Sequence, residues 1–132
     1  MSLPPLEKIL LAEDDPDIQE IAVMALEDFG EYDVVPCNSG VEAVEKTPQV
    51  RPDLILMDVM MPEMDGPTAL KTIRQMPDIA NIPVIFLTAR SQPHEVNEYI
   101  AMGAIDVIKK PFDPLSLCED IEIIWARYHG QH

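Results

Sequence analysis

Cations are scarce in this sequence: nine Lys and Arg stand against 24 Asp and Glu, a formal net charge of −15 over 132 residues. Nucleic-acid binding rests largely on cations meeting phosphates, so no direct binding to DNA or RNA is expected. The same deficit argues against an anionic membrane surface, and the acidity is expected to serve solubility. Long hydrophobic runs are also missing. None approaches the ~18 apolar residues of a membrane span, and no basic-plus-apolar leader opens the chain. Cysteine is limited to Cys37 and Cys118, too few for a disulfide framework and without metal-ligand spacing, so a reducing, cytoplasmic setting is expected. The lack of a glycine-rich phosphate loop removes support for a nucleotide or flavin site. What remains is ordinary for a single globular domain: 47% hydrophobic and 25% charged residues, with no low-complexity segment.

The central stretch is Asp53-Leu54-Ile55-Leu56-Met57-Asp58, a short apolar run that ends in an aspartate. Pro62 and Gly66 follow in a loop, and a helical pattern starts at Pro67. Such a run between turn signals reads as a buried strand of a parallel sheet. Lys8 to Ala12 is a second run, followed by Glu13, Asp14 and Asp15, with Asp15 as N-cap and Pro16 in the first turn of a helix that Gly30 stops. Tyr32 to Cys37 reads as a strand and Ser39 caps a short helix, which Pro48 and Pro52 are expected to break. The helix after Gly66 should run to Met76 with Leu70 and Ile73 inward. Pro83 to Leu87 is a fourth strand, Pro93 to Met102 a helix, and Ala104 to Ile108 a fifth strand. A last helix is expected from Asp113 to Tyr128. Strands alternating with helices in this way make an α/β doubly wound parallel sheet with helices on both faces. Residues 1–6 and 129–132 are expected to be tails around a unit spanning 7–128.

Four strands finish in a residue able to do chemistry: Glu13 and Asp14 after the first, Asp58 after the third, Thr88 after the fourth and Lys110 after the fifth. In a parallel sheet all carboxyl ends lie on one edge, where open α/β sheets place their ligands. Three carboxylates there would repel by roughly 3 kcal/mol per pair at an effective dielectric near 20. A hard divalent cation with oxygen ligands relieves that repulsion, and Mg²⁺ commonly uses one or two carboxylates plus waters and a phosphate. Lys110 adds a fixed positive charge and Thr88 a hydroxyl donor. Together they suit a phosphoryl group. Taken singly, Asp14 reads as a helix cap, Thr88 as a satisfied strand end and Lys110 as a solvated charge. Their common position at strand ends favours the joint reading.

These pieces resemble a receiver domain of a two-component response regulator: Lys8 to Asp14, Asp58 to Gly66, Leu87-Thr88-Ala89 and Lys110-Pro111-Phe112, in matching order over about residues 7–128. The resemblance implies a five-stranded sheet in flavodoxin-like order 2-1-3-4-5 with five helices. It implies Asp58 as the acceptor of a phosphoryl group from a sensor histidine kinase or histidine phosphotransfer protein. Asp14 and Asp58 would hold Mg²⁺ (or Mn²⁺) directly, Glu13 mainly through water, and the Met60 carbonyl would complete the ligands. Lys110 would bind a phosphoryl oxygen next to a cis Lys110-Pro111 bond, and Thr88 would turn inward. The change would switch a surface read by a downstream protein partner or output domain. The chain itself would be no enzyme.

Three departures qualify the resemblance. Val107 stands at the switch position on the fifth strand, usually Tyr, Phe or His, so coupling of Thr88 to a swinging ring is in question. Met60 and Arg90 occupy the positions that tune loss of the phosphoryl group, and an apolar Met60 cannot orient water, so slow self-dephosphorylation is expected. The helix from Pro93 to Met102 offers only His94 as a cation, which weakens a charge-paired homodimer, while Ile123 or Trp125 could form a partner surface instead, Trp125 reading equally well as ordinary packing. Two other classes compete. An aspartyl-phosphate hydrolase of the haloacid dehalogenase type needs a second Asp where Met60 stands. A pseudo-receiver scaffold would not need Asp14, Asp58, Thr88 and Lys110 intact.

Overall fold

The apolar runs form five strands: β1 (Lys8–Ala12), β2 (Asp33–Cys37), β3 (Leu54–Asp58), β4 (Val84–Thr88) and β5 (Asp106–Lys109). The structure is a computed structural model and describes residues 3–130. All strands pair in parallel, in the order β2-β1-β3-β4-β5. Every residue of β3 and β4 is buried, which is why these strands read as unbroken apolar runs rather than alternating ones. The outer strands β2 and β5 are only partly covered.

Five helices cover the sheet: α1 (Pro16–Asp28), α2 (Gly40–Val50), α3 (Gly66–Arg74), α4 (Pro93–Ala101) and α5 (Leu117–Gly130). Strand side chains alternate between two layers. Ile9, Leu11, Leu54 and Leu56 join Leu26 of α1 and Ile121 of α5 on one face. On the other, Leu10, Ile55, Met57 and Phe86 meet Ala43 of α2, Leu70 and Ile73 of α3 and Tyr99 of α4. Each such large side chain stabilises the fold by about 1.5–3 kcal/mol. The family expectation of a doubly wound sheet in that strand order therefore holds.

Several details differ from the sequence reading. Pro48 does not break α2 but lies inside it. Having no N–H, Pro48 cannot donate to the Val44 carbonyl four residues back, and the helix runs only two residues beyond it, to Val50. The helix ends at Arg51, which is left-handed (φ 50°) and donates its N–H to the Thr47 carbonyl at 2.9 Å. The last helix starts at Leu117 rather than Asp113. Asp113 instead closes a turn, its Oδ1 accepting from Leu115 N at 2.9 Å and its carbonyl from Leu117 N at 3.0 Å. α5 also continues through Gly130, so residues 129 and 130 are helical rather than tail; residues 131 and 132 lie outside the described residues. At the other end, Leu6 packs on the core and the Pro4 carbonyl accepts from Trp125 Nε1 at 2.9 Å. Pro4 and Leu6 of the expected N-terminal tail are thus tied to the domain, and residues 1 and 2 lie outside the described residues. Trp125 is consequently buried packing rather than an exposed partner surface, while Ile123 remains 49% exposed.

Candidate functional site at the carboxyl edge of the sheet

The parallel register brings the ends of β1, β3, β4 and the loop after β5 to one edge, around a cleft of about 340 Å³ lined by Glu13, Asp14, Asp58, Met60, Thr88, Arg90 and Lys110, among others. Asp58 is the last residue of β3, the central strand, and its side chain is almost fully covered. A buried carboxylate needs a partner. Lys110 Nζ supplies it, 2.8 Å from Asp58 Oδ2 and 2.7 Å from Glu13 Oε1. The other Asp58 oxygen accepts from Met60 N at 3.2 Å. Glu13 is fully buried, and its second oxygen accepts from Asp15 N at 3.3 Å. Asp14, next along the chain, is exposed. Burial and the neighbouring Asp58 raise the Glu13 carboxyl to about 7, above the usual range, against the pull of Lys110. At Lys110 burial works downward, but the hydrogen bonds to Asp58 and Glu13 outweigh it and the ammonium is held above its usual value.

Oxygens of Glu13, Asp14 and Asp58 all lie within 4.8 Å of one another. Three carboxylates face one ammonium, so the cluster keeps an excess of negative charge and hard oxygen donors. That donor set fits a hard divalent cation.

Thr88 is buried at the end of β4. Its Oγ1 accepts from Arg90 N at 3.0 Å, which leaves the hydroxyl proton for an acceptor in the cleft. The Lys110 N–H donates to the Thr88 carbonyl at 2.9 Å, and the Lys110-Pro111 bond is cis, as expected. Met60 is 74% exposed at the rim. Val107 is half-buried in β5, paired with Phe86, and packs against the core rather than entering the cleft.

The loop after β3 is shaped by Gly66. A Cβ there would stand 2.5 Å from the Asp58 carbonyl oxygen and 3.0 Å from Val59 Cα. Only glycine lets α3 begin this close to the strand end, and its N–H donates to the Val59 carbonyl at 2.8 Å. Two supporting residues escaped the sequence reading. Gln19 Nε2 donates to the Glu13 and Cys37 carbonyls at 3.0 and 3.1 Å, tying the loops after β1 and β2 together. Glu95 takes Arg90 Nε at 2.7 Å. A Gln or Glu on an amphipathic helix looks like any solvated side chain, so neither had a signal in one sequence.

Residues 9–122 match the response regulator receiver domain family, and the chain belongs to that family. It is 37% identical over 122 residues to the transcriptional regulatory protein CpxR homolog of Haemophilus influenzae, covering 92% of this chain and 52% of that protein. It is likewise 37% identical over 108 residues to the DNA-binding dual master transcriptional regulator RpaA of Synechocystis, covering 82% of this chain and 44% of the relative. The chain thus spans about half the length of these curated relatives. Among solved structures, the chemotaxis response regulator CheY4 of Vibrio cholerae superposes with a TM-score of 0.83 at 31% identity, covering 91% of this chain and 99% of that one. The protein is therefore a receiver domain of two-component signalling. Among the described residues no helix is long and apolar enough to cross a membrane.

Proposed function

We propose that Asp58 accepts a phosphoryl group from a phosphohistidine on a sensor histidine kinase or histidine phosphotransfer protein, and that the aspartyl phosphate switches a surface read by a downstream partner or output domain. The observation that carries this is the Lys110 ammonium bridging Asp58 and Glu13 beside Asp14. In the transfer, an Asp58 carboxylate oxygen attacks phosphorus and the phosphorus–nitrogen bond breaks. The bonding pair stays on the imidazole nitrogen, and the ring, protonated at its other nitrogen, leaves neutral. Asp58 as covalent carrier divides a difficult transfer into two easier steps.

Asp14 and Asp58 would hold Mg²⁺ (or Mn²⁺) directly, with Glu13 through water and the Met60 carbonyl completing the protein ligands. When bound, that ion neutralises charge on the phosphoryl oxygens. Lys110 orients the Asp58 carboxylate and meets a phosphoryl oxygen, and the free hydroxyl proton of Thr88 donates to another. Exposed Met60 has no group to position an attacking water, and it makes the adduct long-lived. The working unit is the span 7–128 with the seated residues at both ends, acting in the cytoplasm without direct nucleic-acid or membrane contact.

Intact mass after incubation with acetyl phosphate and Mg²⁺ tests the reading. A gain of about 80 Da, one phosphoryl group, is expected in the wild type and is absent in Asp58→Ala or in EDTA. No adduct and no released phosphate would refute it. Phosphate release without an adduct would make the chain a hydrolase instead.

A further inference from the structure

α4 has the fewest buried residues of the five helices. It has nine residues, of which only Tyr99 is buried, where it meets Phe86 edge-on at 5.4 Å. A helix this short is marginal on its own, so what holds its first turn decides its position. That hold is Glu95. One carboxylate oxygen accepts from Gln92 N, the N-cap residue, at 3.1 Å, and the other takes Arg90 Nε at 2.7 Å. Arg90 in turn is tied to the site: its backbone N–H donates to Thr88 Oγ1 at 3.0 Å, and the residue lines the same cleft as Asp58 and Lys110. An unbroken series of hydrogen bonds thus runs from Thr88 through Arg90 and Glu95 to the start of α4. The Arg90 guanidinium is 71% exposed along this path and free to re-aim.

We propose that Arg90 carries the state of Asp58 to α4: a phosphoryl group on Asp58 draws the guanidinium from Glu95, and the first turn of α4 is released. The proposal rests on the phosphoacceptor reading. A dianionic phosphoryl group offers the guanidinium a stronger, bidentate acceptor than one shared carboxylate. Glu95 is then left with the Gln92 N–H alone. The route needs no aromatic ring at position 107, and Val107 supplies none.

Hydrogen exchange of the α4 amides with and without beryllofluoride, a phosphoryl stand-in, tests this, while ¹⁹F NMR reports occupancy of Asp58 independently. With Mg²⁺ and beryllofluoride, α4 amides should exchange about threefold faster, the scale of one surface ion pair, while α1 amides stay unchanged. Glu95→Gln and Arg90→Ala should show the faster exchange without ligand and little further rise with it. A bound ¹⁹F signal with unchanged α4 exchange overturns the proposal, as does an Arg90→Ala protein that keeps the full ligand-induced rise. No bound ¹⁹F signal in the wild type overturns instead the phosphoacceptor reading beneath it.

Discussion

Replacing Lys110 by methionine is the sharpest probe of how the acidic cluster is held together. The change keeps the aliphatic stem and removes the ammonium that stands 2.7 Å from Glu13 and 2.8 Å from Asp58. At an effective dielectric near 20 each contact is worth roughly 6 kcal/mol of attraction, most of it spent against the cost of burying the charges. Removing one partner of a buried pair leaves that cost uncompensated, typically about 3–5 kcal/mol. The loss should depend on pH. Burial already raises Glu13 to about 7, and without Lys110 it should rise further. Its folded-state value then exceeds its unfolded one, so the folded protein binds the extra proton and stability falls as pH rises from the usual carboxylate range through 7. The variant should therefore lie closest to wild type near pH 5 and furthest from it at pH 8. In EDTA at pH 8, a drop in melting temperature of roughly 10–20 °C is expected for a domain of this size. Thermal unfolding followed by circular dichroism at the two pH values measures it. A drop that is the same at both pH values, or smaller than a few degrees at pH 8, would refute the reasoning.

Other expectations follow from neighbouring features. Met60→Asn should shorten the lifetime of the aspartyl phosphate, read as loss of the intact-mass adduct with time; an unchanged decay would remove Met60 from the account of its persistence. Gly66→Ala should cost about 1–3 kcal/mol in urea denaturation, because the new Cβ meets strand backbone that has no room to yield. Burial raises the Cys37 thiol and the Tyr32 phenol each to about 12. Both are then neutral in the folded state while ionised in the unfolded one, so stability is lost as pH rises from about 9 toward 12. Neither cysteine should react quickly with a thiol reagent at pH 8, and Tyr32→Phe should flatten the alkaline slope. Trp125→Phe removes the hydrogen bond to the Pro4 carbonyl and should lower stability by roughly 1 kcal/mol. Deleting residues 1–6 should red-shift the emission of this sole tryptophan.

The clustering of the polar strand-end residues was easier to read from the sequence than the packing was, and the reason is local contrast. Asp58, Thr88 and the Glu13-Asp14 pair each interrupt an apolar run at the point where a strand leaves the core, so a single residue marks both the strand end and the site. Lys110 had the same kind of marker in the following proline. Strand order had none, since pairing between β1 and β3 joins segments more than 40 residues apart and was supplied by the family resemblance. Pro48 misled because a proline removes a single N–H donor without ending the helix on the spot, and α2 runs two residues beyond it. Trp125 stayed open between packing and partner surface because its hydrogen-bond partner is Pro4, 121 positions earlier in the chain, a contact that helical periodicity cannot encode. Glu95 carried no signal until the backbone set it beside Arg90.

The strand order also decides how this domain can meet other chains. Its open edges are β2 and β5, and both are poor templates for strand addition. β2 carries Pro36, which has no amide hydrogen to offer a newcomer, and β5 is only four residues long, ending in the exposed Lys109. Short, charged or proline-bearing borders are how sheets resist edge-to-edge growth. Contacts with a phosphodonor, an output element or a second copy are thereby left to helix faces and loops, the parts of the domain that can shift without disturbing the strands on which Asp58 and Thr88 stand.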